Sequence, residues 1–459
     1  MVTLDTIVSY AKRRGFIFPG SEIYGGFAGT YDFGPLGLAL KKNIESLWWH
    51  RFVDTRDDMY GIDSAILMSP KVWEASGHTT TFNDPLVIDQ KTQKRYRADH
   101  LLEEQGIDPT GMTIEQMSAA LKEKGVKSPD GNPLSDAQQF NMMFKTSVGS
   151  VEGGEMPAYL RPETAQGMFV NFKNILDAYH PKLPFGIAQI GRSFRNEIAP
   201  REFIFRVREL EIMEFEYFLN EKDWEKEFRY WQDEMHAWFR DDLGFSDDDI
   251  QEVEVSAEER AHYSKRTLDF YFKYPTGYKE IGGIAYRTDF DLKNHETASG
   301  VELKYLDPET NEKLVPHVLE PTFGLGRHVL AVLVKAYDVD ELGGEERVVL
   351  RLPAKLAPIK AMVSPLLKNK PELVAKAQEV RKRLKKVHPA IAWDDNGNIG
   401  KRYRRQDEIG TPFCITIDFD TLGETPELMD TVTLRHRDTG EQERLSVDEA
   451  AFRIQSALA

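Results

Sequence analysis

Two long strand-like runs with a turn between them constrain the fold of this chain more than any other feature. The runs cover residues 185–197 and 203–219, and Ala199 and Pro200 lie in the short segment that separates them. Proline has no backbone N–H and is costly in a central strand, so Pro200 indicates a turn. The pattern therefore predicts a long antiparallel pair of strands.

Charged residues are concentrated where these two runs meet. Residues 194–197 read FRNE and residues 205–210 read FRVREL. Guanidinium groups fixed on a rigid sheet are well suited to hold a triphosphate. Because side chains alternate along a strand, we expect Arg206, Leu210 and Glu214 to share one face at intervals of roughly 13 Å. The alternative interpretation is a solvent-facing stripe of mixed charge.

The segments around the pair predict the rest of a first domain, 1–340. Helical spacing indicates amphipathic helices at 41–53 and 224–239, and an apolar helix is predicted at 327–337. Strand-like runs occur at 61–68, 277–292 and 314–320, and residues 34–37 predict a turn. Residues 87–140 are more polar and hold two short helical patches, one with a capping signal at Thr113 and Gln116. We interpret residues 87–140 as an insertion.

A second, smaller domain is predicted at 341–459, since 459 residues are too many for one compact core. Residues 338–346 are acidic, contain glycine and predict a linker. Beyond them strands alternate with a helix: strands at 348–352, 360–363 and 413–419, a helix at 371–387, and a hairpin turning at 438–440. That alternation predicts an α/β domain with a mixed sheet.

Composition excludes several classes of protein. The single cysteine, Cys414, rules out an internal disulfide framework and a multi-cysteine zinc site, and its apolar surroundings favour a buried structural thiol. No apolar run approaches the roughly 20 residues needed to span a membrane, and the N-terminus lacks the pattern of a secretory signal. The chain is therefore predicted to be cytoplasmic. A net charge of −16 disfavours indiscriminate nucleic-acid binding but allows a local basic face.

Two further motifs flank the strand pair, RPETAQG at 161–167 and EPTFGLGR at 320–327. In this order, and over nearly the whole chain, the motifs resemble the active site of class II aminoacyl-tRNA synthetases, and among them the glycyl-tRNA synthetases. The resemblance implies an α+β fold. It consists of an antiparallel-sheet catalytic domain with helices and a C-terminal α/β domain, similar to anticodon-binding domains, with a mixed sheet.

The resemblance also implies roles for individual residues around ATP. Arg195 is expected to hold the α-phosphate, Glu197 the adenine end and Arg206 the distal phosphates, and Arg195 and Arg327 are the expected catalytic residues. The full set of implied ATP-binding residues is Arg195, Asn196, Glu197, Phe205, Arg206, Val207, Leu210, Glu280, Ile281, Gly324, Gly326 and Arg327. The glycines let the backbone approach the ligand, and a helix N-terminus favours an anion.

A second set of residues matches the amino-acid site of the family. Glu163 and Glu214 match the carboxylates around the glycine amine, and the complete set is Arg97, Glu163, Glu214, Arg287, Glu320 and Thr322. Taken alone, Arg97 would be a solvated surface residue, and Glu280 with Arg287 an ordinary charge pair on an edge strand.

This chain departs from the family pattern at two positions. Leu210 stands where the family commonly has an aromatic residue that stacks on adenine, and Thr322 stands where serine is usual. Leucine recovers only part of the stacking energy, and the extra methyl of threonine narrows a small pocket.

The implied activity is formation of glycyl-adenylate from glycine and ATP, then transfer of the glycyl group to tRNA(Gly). Mg²⁺ is implied by the nucleotide, although the sequence does not single out its ligands. No convincing Ser-His-Asp or Cys-His constellation is present, which fits a reaction without a side-chain nucleophile. The alternatives are a synthetase for threonine, proline or serine, and a catalytically silent nucleic-acid-binding relative.

Two surfaces have implied partners. The basic runs at 381–386 and 401–405 would meet the tRNA anticodon, although a solvated helix face is the ordinary interpretation of such runs. The 41–53 helix, the strand after it and Pro70 resemble the first class II motif, which forms a two-fold interface, so a homodimer is expected. From residues alone, that helix could equally pack within its own domain.

Overall fold

The computed structural model describes residues 2–149, 156–258, 260–261 and 263–458. Its strands, in chain order, are β1 Ile17–Pro19, β2 Tyr31–Phe33, β3 Met59–Gly61, β4 Asn83–Ile88, β5 Arg95–Arg97, β6 Gln138–Asn141, β7 Lys145–Val148, β8 Met156–Tyr159, β9 Phe185–Phe194, β10 Glu209–Leu219, β11 Ile250–Glu254, β12 Arg266–Tyr274, β13 Gly277–Thr288, β14 Tyr305–Leu306, β15 Lys313–Leu314, β16 His317–Gly324, β17 Tyr337–Leu342, β18 Glu345–Leu350, β19 Ala361–Pro365, β20 Ile391–Trp393, β21 Phe413–Ile417, β22 Thr431–His436 and β23 Gln442–Ser446.

The α-helices, in chain order, are α1 Leu4–Arg13, α2 Pro35–Trp49, α3 Pro70–Ala75, α4 His78–Thr81, α5 Ala98–Glu103, α6 Ile114–Glu123, α7 Ala165–Tyr179, α8 Trp224–Ala237, α9 Phe290–Ser299, α10 Leu325–Ala336, α11 Pro371–Leu384, α12 Ile399–Glu408 and α13 Val447–Leu458. Among the residues described, no helix is both long enough and apolar enough to cross a membrane.

A seven-stranded sheet in the order β11-β12-β13-β16-β10-β9-β3 forms the centre of the first domain. Every neighbouring pair is antiparallel except β3 and β9, which run parallel. Its two faces are covered differently. Helices α2, α8 and α10 contribute to the larger core on one face, and α7 packs with Phe185 and Phe218 on the other. The antiparallel prediction for this domain is confirmed.

The predicted strand pair is confirmed as β9 and β10, but the connection between them is longer than predicted. Residues 195–208 form a loop with a short 3-10 turn at Phe203–Phe205, where Glu202 and Phe203 have positive φ values of 61° and 58°. Arg206 lies in that loop, so the prediction that it shares a strand face with Glu214 is wrong. Pro200 packs against the backbone of Gly29, where a Cβ atom would lie 2.6 Å from the Cβ of Pro200.

Two predictions near the N-terminus are also wrong. Residues 34–37 begin α2 instead of forming a turn, because Pro35 occupies the first helical position, where a missing N–H is harmless. A regular strand at 61–68 is absent from the described residues. Met59–Gly61 pairs with β9, the N–H of Ile62 donates to the Ala188 carbonyl at 2.9 Å, and Leu67 makes a single bridge to Leu160.

The insertion is a small folded unit. Strands β5, β4 and β6 form a three-stranded sheet, and α5 and α6 bury Leu101, Leu102, Met117 and Leu121 against Val87. The capping signal is confirmed: the Thr113 hydroxyl accepts from the N–H of Gln116, whose side chain accepts from the N–H of Thr113. Asn141, at the end of this unit, donates to the carbonyls of His78 and Thr79 at 3.0 and 3.2 Å.

The C-terminal region contains the predicted mixed sheet, in the order β20-β19-β21-β22-β23. Strand β19 runs parallel to β20 and β21, and the remaining pairs are antiparallel. Helices α11 and α13 supply Leu373, Val380 and Ile454 to a core separate from the first. Cys414 is buried in this sheet, as predicted, and burial raises the pKa of its thiol.

The predicted linker at 338–346 is instead a hairpin of β17 and β18. Gly343 and Gly344 form its two-residue turn with φ values of 66° and 80°, a conformation that suits glycine. The hairpin is tied to α12, because buried Arg347 donates to Asp407 at 3.0 Å and Asp407 also accepts from Arg435.

Helix α12 carries the basic run at 401–405, and the structure assigns much of that run an internal role. Arg402 is 1% exposed and donates to backbone carbonyls of Pro365, Asp395 and Gly397. Arg405 pairs with Asp394 at 2.8 Å. The expectation that the whole run faces tRNA is therefore wrong for Arg402, which is fixed within its own domain.

Candidate active site

A cavity of about 180 Å³ lies on the central sheet beside the loop that connects β9 and β10. Of the twelve residues predicted to contact ATP, ten line it: Arg195, Glu197, Phe205, Arg206, Val207, Leu210, Glu280, Gly324, Gly326 and Arg327. Asn196 and Ile281 do not. The Asn196 N–H donates to the Met142 carbonyl, and the Ile281 side chain is buried in the main core.

Arg327 closes one side of this cavity. It lies in the first turn of α10, whose amino end attracts negative charge. Its Nη1 is 2.9 Å from Glu280 Oε1, and its guanidinium carbon lies 4.5 Å from the centre of the Phe205 ring. Burial alone would lower the pKa of Arg327, but the neighbouring Glu280 carboxylate outweighs it and raises the pKa. This cation is therefore permanently charged and held in place.

Two more arginines approach the cavity from the connecting loop and its base. Arg195 donates from Nε to the Pro162 carbonyl at 3.1 Å, and its guanidinium carbon lies 5.5 Å from the centre of the Phe82 ring. Arg206 lies 3.9 Å from Glu197, and its Nη1 is buried without a hydrogen-bond partner among the described residues. A buried cationic donor without a partner is costly, so Arg206 indicates a place for an anionic ligand.

A cluster of buried acids lies on the same sheet next to the cavity. Arg287, 1% exposed, donates to Glu320 at 2.8 Å and makes two hydrogen bonds of 2.8 Å to Asp291. Glu214 accepts hydrogen bonds from Thr164 and, at 3.3 Å, from Thr322. Glu163 accepts from Gln166 at 3.0 Å. Sequence-predicted residues of the amino-acid site thus meet in one cluster.

The pKa values in this cluster reflect an excess of acids over cations. Burial raises the pKa of Glu214, and the charge of Glu163 raises it further. Burial likewise raises the pKa of Glu320, although Arg287 opposes the shift. For Glu163 burial is outweighed by His78, whose Nε2 is 3.2 Å from the carboxylate, and the pKa is lowered. A cluster of this kind favours a cationic ligand such as an ammonium group.

Arg97 lies apart from that cluster. It is in the insertion, where it pairs with Asp84 at 2.6 Å and with Asp99. Burial raises the pKa of Asp84 to about 6, although the positive charge of Arg97, the second largest influence, opposes the rise. Arg97 is close enough to Arg206 for its charge to lower the pKa of that group. Its predicted contact with the amino acid stays a prediction.

The sequence reasoning missed several residues of the cluster. Asp291 follows Arg287 by four residues, but Arg287 lies near the end of β13 and Asp291 in the first turn of α9, so their contact depends on the turn between the two elements. Gln166 lies within a motif that was already singled out, and it donates to Asp291 at 3.0 Å. Glu216 follows Glu214 by two residues on a predicted strand, so the alternation of side chains could have placed it on the same face. His78 carries no local sequence signal, since the tertiary fold alone brings it to the site.

The chain matches known families along most of its length. Residues 145–336 match the family described as tRNA synthetase class II core domain (G, H, P, S and T), and residues 360–457 match the family described as anticodon binding domain. The chain is 48% identical to the glycine–tRNA ligase of Thermus thermophilus, with 97% of each chain covered. It is 45% identical to that of Deinococcus radiodurans, with 99% of each covered. It is 47% identical to that of Caldanaerobacter subterraneus subsp. tengcongensis, with 100% of this chain and 99% of the relative covered.

Proposed function

The chain belongs to the glycine–tRNA ligase family, and from this premise we propose how its residues carry out the reaction. The enzyme activates glycine with ATP and charges tRNA(Gly). The observation that best supports the residue roles is the placement of three arginines around a cavity that adjoins a buried acidic cluster.

In the first step, a carboxylate oxygen of glycine attacks the α-phosphorus of ATP. The bond from that phosphorus to the bridging oxygen breaks, and pyrophosphate leaves with its electrons. We propose that Arg195 and Arg327 stabilise the charge on the α-phosphate, and that Arg206 binds the distal phosphates through its free Nη1. Positioning and charge stabilisation are sufficient for such a displacement, with no protein nucleophile.

In the second step, a hydroxyl of the terminal adenosine of tRNA attacks the carbonyl carbon of glycyl-adenylate. The bond to the phosphate oxygen breaks, AMP leaves, and the hydroxyl proton is released. Both steps keep the amine of glycine in the same place. We propose that Glu163 and Glu214 bind this amine, with Glu320 and Arg287 completing the pocket wall.

We also propose that Mg²⁺ accompanies ATP. Among the described residues, no group of three or more His, Cys, Asp or Glu side chains could hold a metal ion. Magnesium commonly takes one or two carboxylates together with substrate phosphates. Glu280, on the cavity wall, and Asp269, on the adjacent strand, are two neighbouring carboxyl groups; burial and the charge of Glu280 raise the pKa of Asp269 to about 7, and a bound cation would relieve this repulsion. When bound, the ion neutralises phosphate charge.

Selectivity for glycine is a problem of size, because one methylene in a pocket is worth only about 1–3 kcal/mol. The pocket must therefore exclude larger side chains by volume that is already occupied. Thr322 contributes to that volume: its hydroxyl bonds Glu214 at 3.3 Å, and its methyl group is an addition to the serine usual in the family.

Replacing Leu210 with phenylalanine is expected to tighten ATP binding. Leu210 lines the cavity, and an aromatic ring there would stack on adenine. Base–aromatic stacking is worth about 1–3 kcal/mol, of which leucine already recovers part, so we expect a Kd lower by about 3- to 10-fold. Isothermal titration with ATP measures this, with Leu210→Ala as the control expected to loosen binding. An unchanged or weaker Kd in Leu210→Phe would contradict the assignment.

We further propose that residues 1–340 form the catalytic domain, with its insertion at about 87–140, and that residues 341–459 form the anticodon-binding domain. The exposed lysines of and just after α11, Lys382, Lys385 and Lys386, are the cations best placed for tRNA, because much of the α12 run is internal. These lysines form the local basic surface that a protein with a net negative charge needs in order to bind a nucleic acid.

Charge reversal of these three lysines to glutamate is expected to raise the KM for tRNA by about 10-fold or more, because each lost phosphate contact weakens binding. Glycine-dependent ATP–pyrophosphate exchange should not change, since the substitutions lie outside the cavity. The matched control reverses Lys182, Lys304 and Lys313 of the catalytic domain, which are three other exposed lysines. Equal effects of both sets on aminoacylation would show that net charge alone matters.

We propose that the enzyme is a cytoplasmic homodimer. Helix α2 buries Leu40, Ile44 and Trp48 in its own domain, but Ile23 and Tyr24, in the connection between β1 and β2, are 88% and 87% exposed. Exposed apolar side chains close to the helix that resembles the first class II motif support a two-fold contact there. Light scattering coupled to size-exclusion chromatography measures the mass of the assembly.

Amino-acid-dependent ATP–pyrophosphate exchange with the purified chain tests the activity directly. Exchange is expected with glycine and not with threonine, proline or serine. Exchange with one of those amino acids instead would contradict the glycine assignment, and failure to bind ATP would indicate a catalytically silent relative.

A further inference from the structure

Glu216 is a buried acid that the proposed mechanism does not use. It lies on β10 two residues after Glu214, so both side chains project from the same face of the sheet. Glu216 is 0% exposed, and within the described residues neither of its carboxylate oxygens has a hydrogen-bond partner. An ionised carboxylate in this position would be very costly, which calls for a physical explanation.

The register of the sheet places this side chain next to Glu320. On β10 and β16, Glu214 is opposite Thr322 and Tyr217 is opposite Leu319, so the same register puts Glu216 opposite Glu320. The 3.3 Å contact between Thr322 and Glu214 shows that opposing side chains on this face meet. Two carboxylates directly across a strand pair repel each other when both are ionised.

The charged groups around Glu216 do not supply enough positive charge. Those that act on it are Glu214 on the same strand, Glu320 on β16, Arg287 on β13 and Asp291 on α9. Arg287 is the one arginine among them, and it already bonds both Asp291 and Glu320. At least one of these acids must therefore carry a proton for the cluster to stay buried.

The environment decides which acid of the opposing pair holds that proton. Glu320 accepts a hydrogen bond from Arg287, which favours its ionised form. Glu216 has no such donor in the part of the chain that the structure describes, and burial together with the charge of Glu320 raises its pKa well above the usual range. Of the two acids, Glu216 is the one whose surroundings favour the neutral form.

We propose that Glu216 is a positioning residue: a carboxylic acid that retains its proton and donates it in a hydrogen bond to the Glu320 carboxylate. This bond fixes Glu320 beside the glycine amine and adds no further negative charge to the pocket. The inference rests on the proposed glycine site, and it adds Glu216 to the residues that shape that site. Glu216 would contact Glu320 and not the substrate.

Two substitutions distinguish this positioning role from two alternatives, in which Glu216 acts as an anion or only fills space in the core. Glu216→Leu removes the donor and keeps an apolar side chain of similar length, and the KM for glycine is expected to rise by about 10-fold or more. Glu216→Gln keeps an N–H donor and is expected to recover most of that loss, with a KM within about threefold of the native value. The KM for ATP should not change in either variant. Glycine-dependent pyrophosphate exchange gives all of these values.

The other outcomes overturn the proposal. If Glu216→Gln weakens glycine binding as much as Glu216→Leu, then Glu216 acts as an anion. If Glu216→Leu binds glycine as well as the native chain does, then Glu216 has no positioning role. The proposed function fails separately, by absence of glycine-dependent exchange in the native chain.

Infrared spectroscopy provides a second measurement that does not depend on Glu216→Leu folding. The difference spectrum between the native chain and Glu216→Gln, at neutral pH, is expected to show the C=O stretch of a protonated carboxylic acid in the native chain. Loss of only an ionised carboxylate band would contradict the proposal, whatever the kinetic result.

Discussion

Arg195→Ala is expected to slow glycyl-adenylate formation by about 100- to 1000-fold, the usual cost of removing one preorganised donor from a charged transition state. The side chain lines the nucleotide cavity, and its backbone N–H bonds the Arg208 carbonyl across the base of the loop between β9 and β10. Its guanidinium group is held by the Pro162 carbonyl and the face of Phe82. The donor is therefore fixed before the reaction, and water cannot replace it in the same geometry.

Single-turnover measurement of adenylate formation tests the expected loss for Arg195. Arg195→Lys is the matched variant, since it keeps the charge and loses the planar, two-pronged donor. We expect it to recover only a small part of the rate. A rate for Arg195→Ala within about threefold of the native rate would remove this residue from the catalytic set.

The second large effect is expected at the acids around the glycine amine. Glu214→Ala should raise the KM for glycine by about 100-fold or more, because a buried ammonium group loses its charged partner. Glu214 is 2% exposed, and its two oxygens are held by Thr164 and Thr322. Glu163→Ala should act in the same direction. ATP binding, measured by titration without glycine, should be retained in both variants.

Glutamine at each position separates charge from shape in this experiment. Glu163→Gln and Glu214→Gln keep nearly the same volume, so a loss close to that of alanine would show that the negative charge binds the amine. Native rates of glycyl-adenylate formation in either alanine variant would refute the pocket assignment.

Local sequence patterns were sufficient to predict the elements whose formation depends mainly on residues close in sequence. The β9 and β10 pair, the capping box at Thr113 and the helix that carries Arg327 all follow from spacing and composition. Most of the predicted nucleotide residues also meet in one cavity, because they lie in the loop that joins β9 and β10, on the neighbouring strands, and at the start of α10.

Other parts could not be read from the sequence because they depend on contacts between distant residues. Arg402 looks like a surface cation in a basic run, and only the packing of α12 against β19 shows that it is buried.

The hairpin at 337–350 is a different case, because its turn could have been predicted from the sequence. Its Gly343–Gly344 pair is a recognised signal for a tight turn, and the acidic residues around it favoured a linker instead.

The hydrogen bonds from Asn141 to the backbone of His78 and Thr79 have a practical consequence for anyone who wishes to shorten this enzyme. His78 in turn lies 3.2 Å from Glu163, so strand β6, most of which belongs to the insertion, supports the turn that reaches Glu163. A shortened enzyme that lacks residues 87–140 would keep every residue of the seven-stranded sheet. It would nevertheless lose most of β6, the strand that positions Asn141, and with it the support behind Glu163.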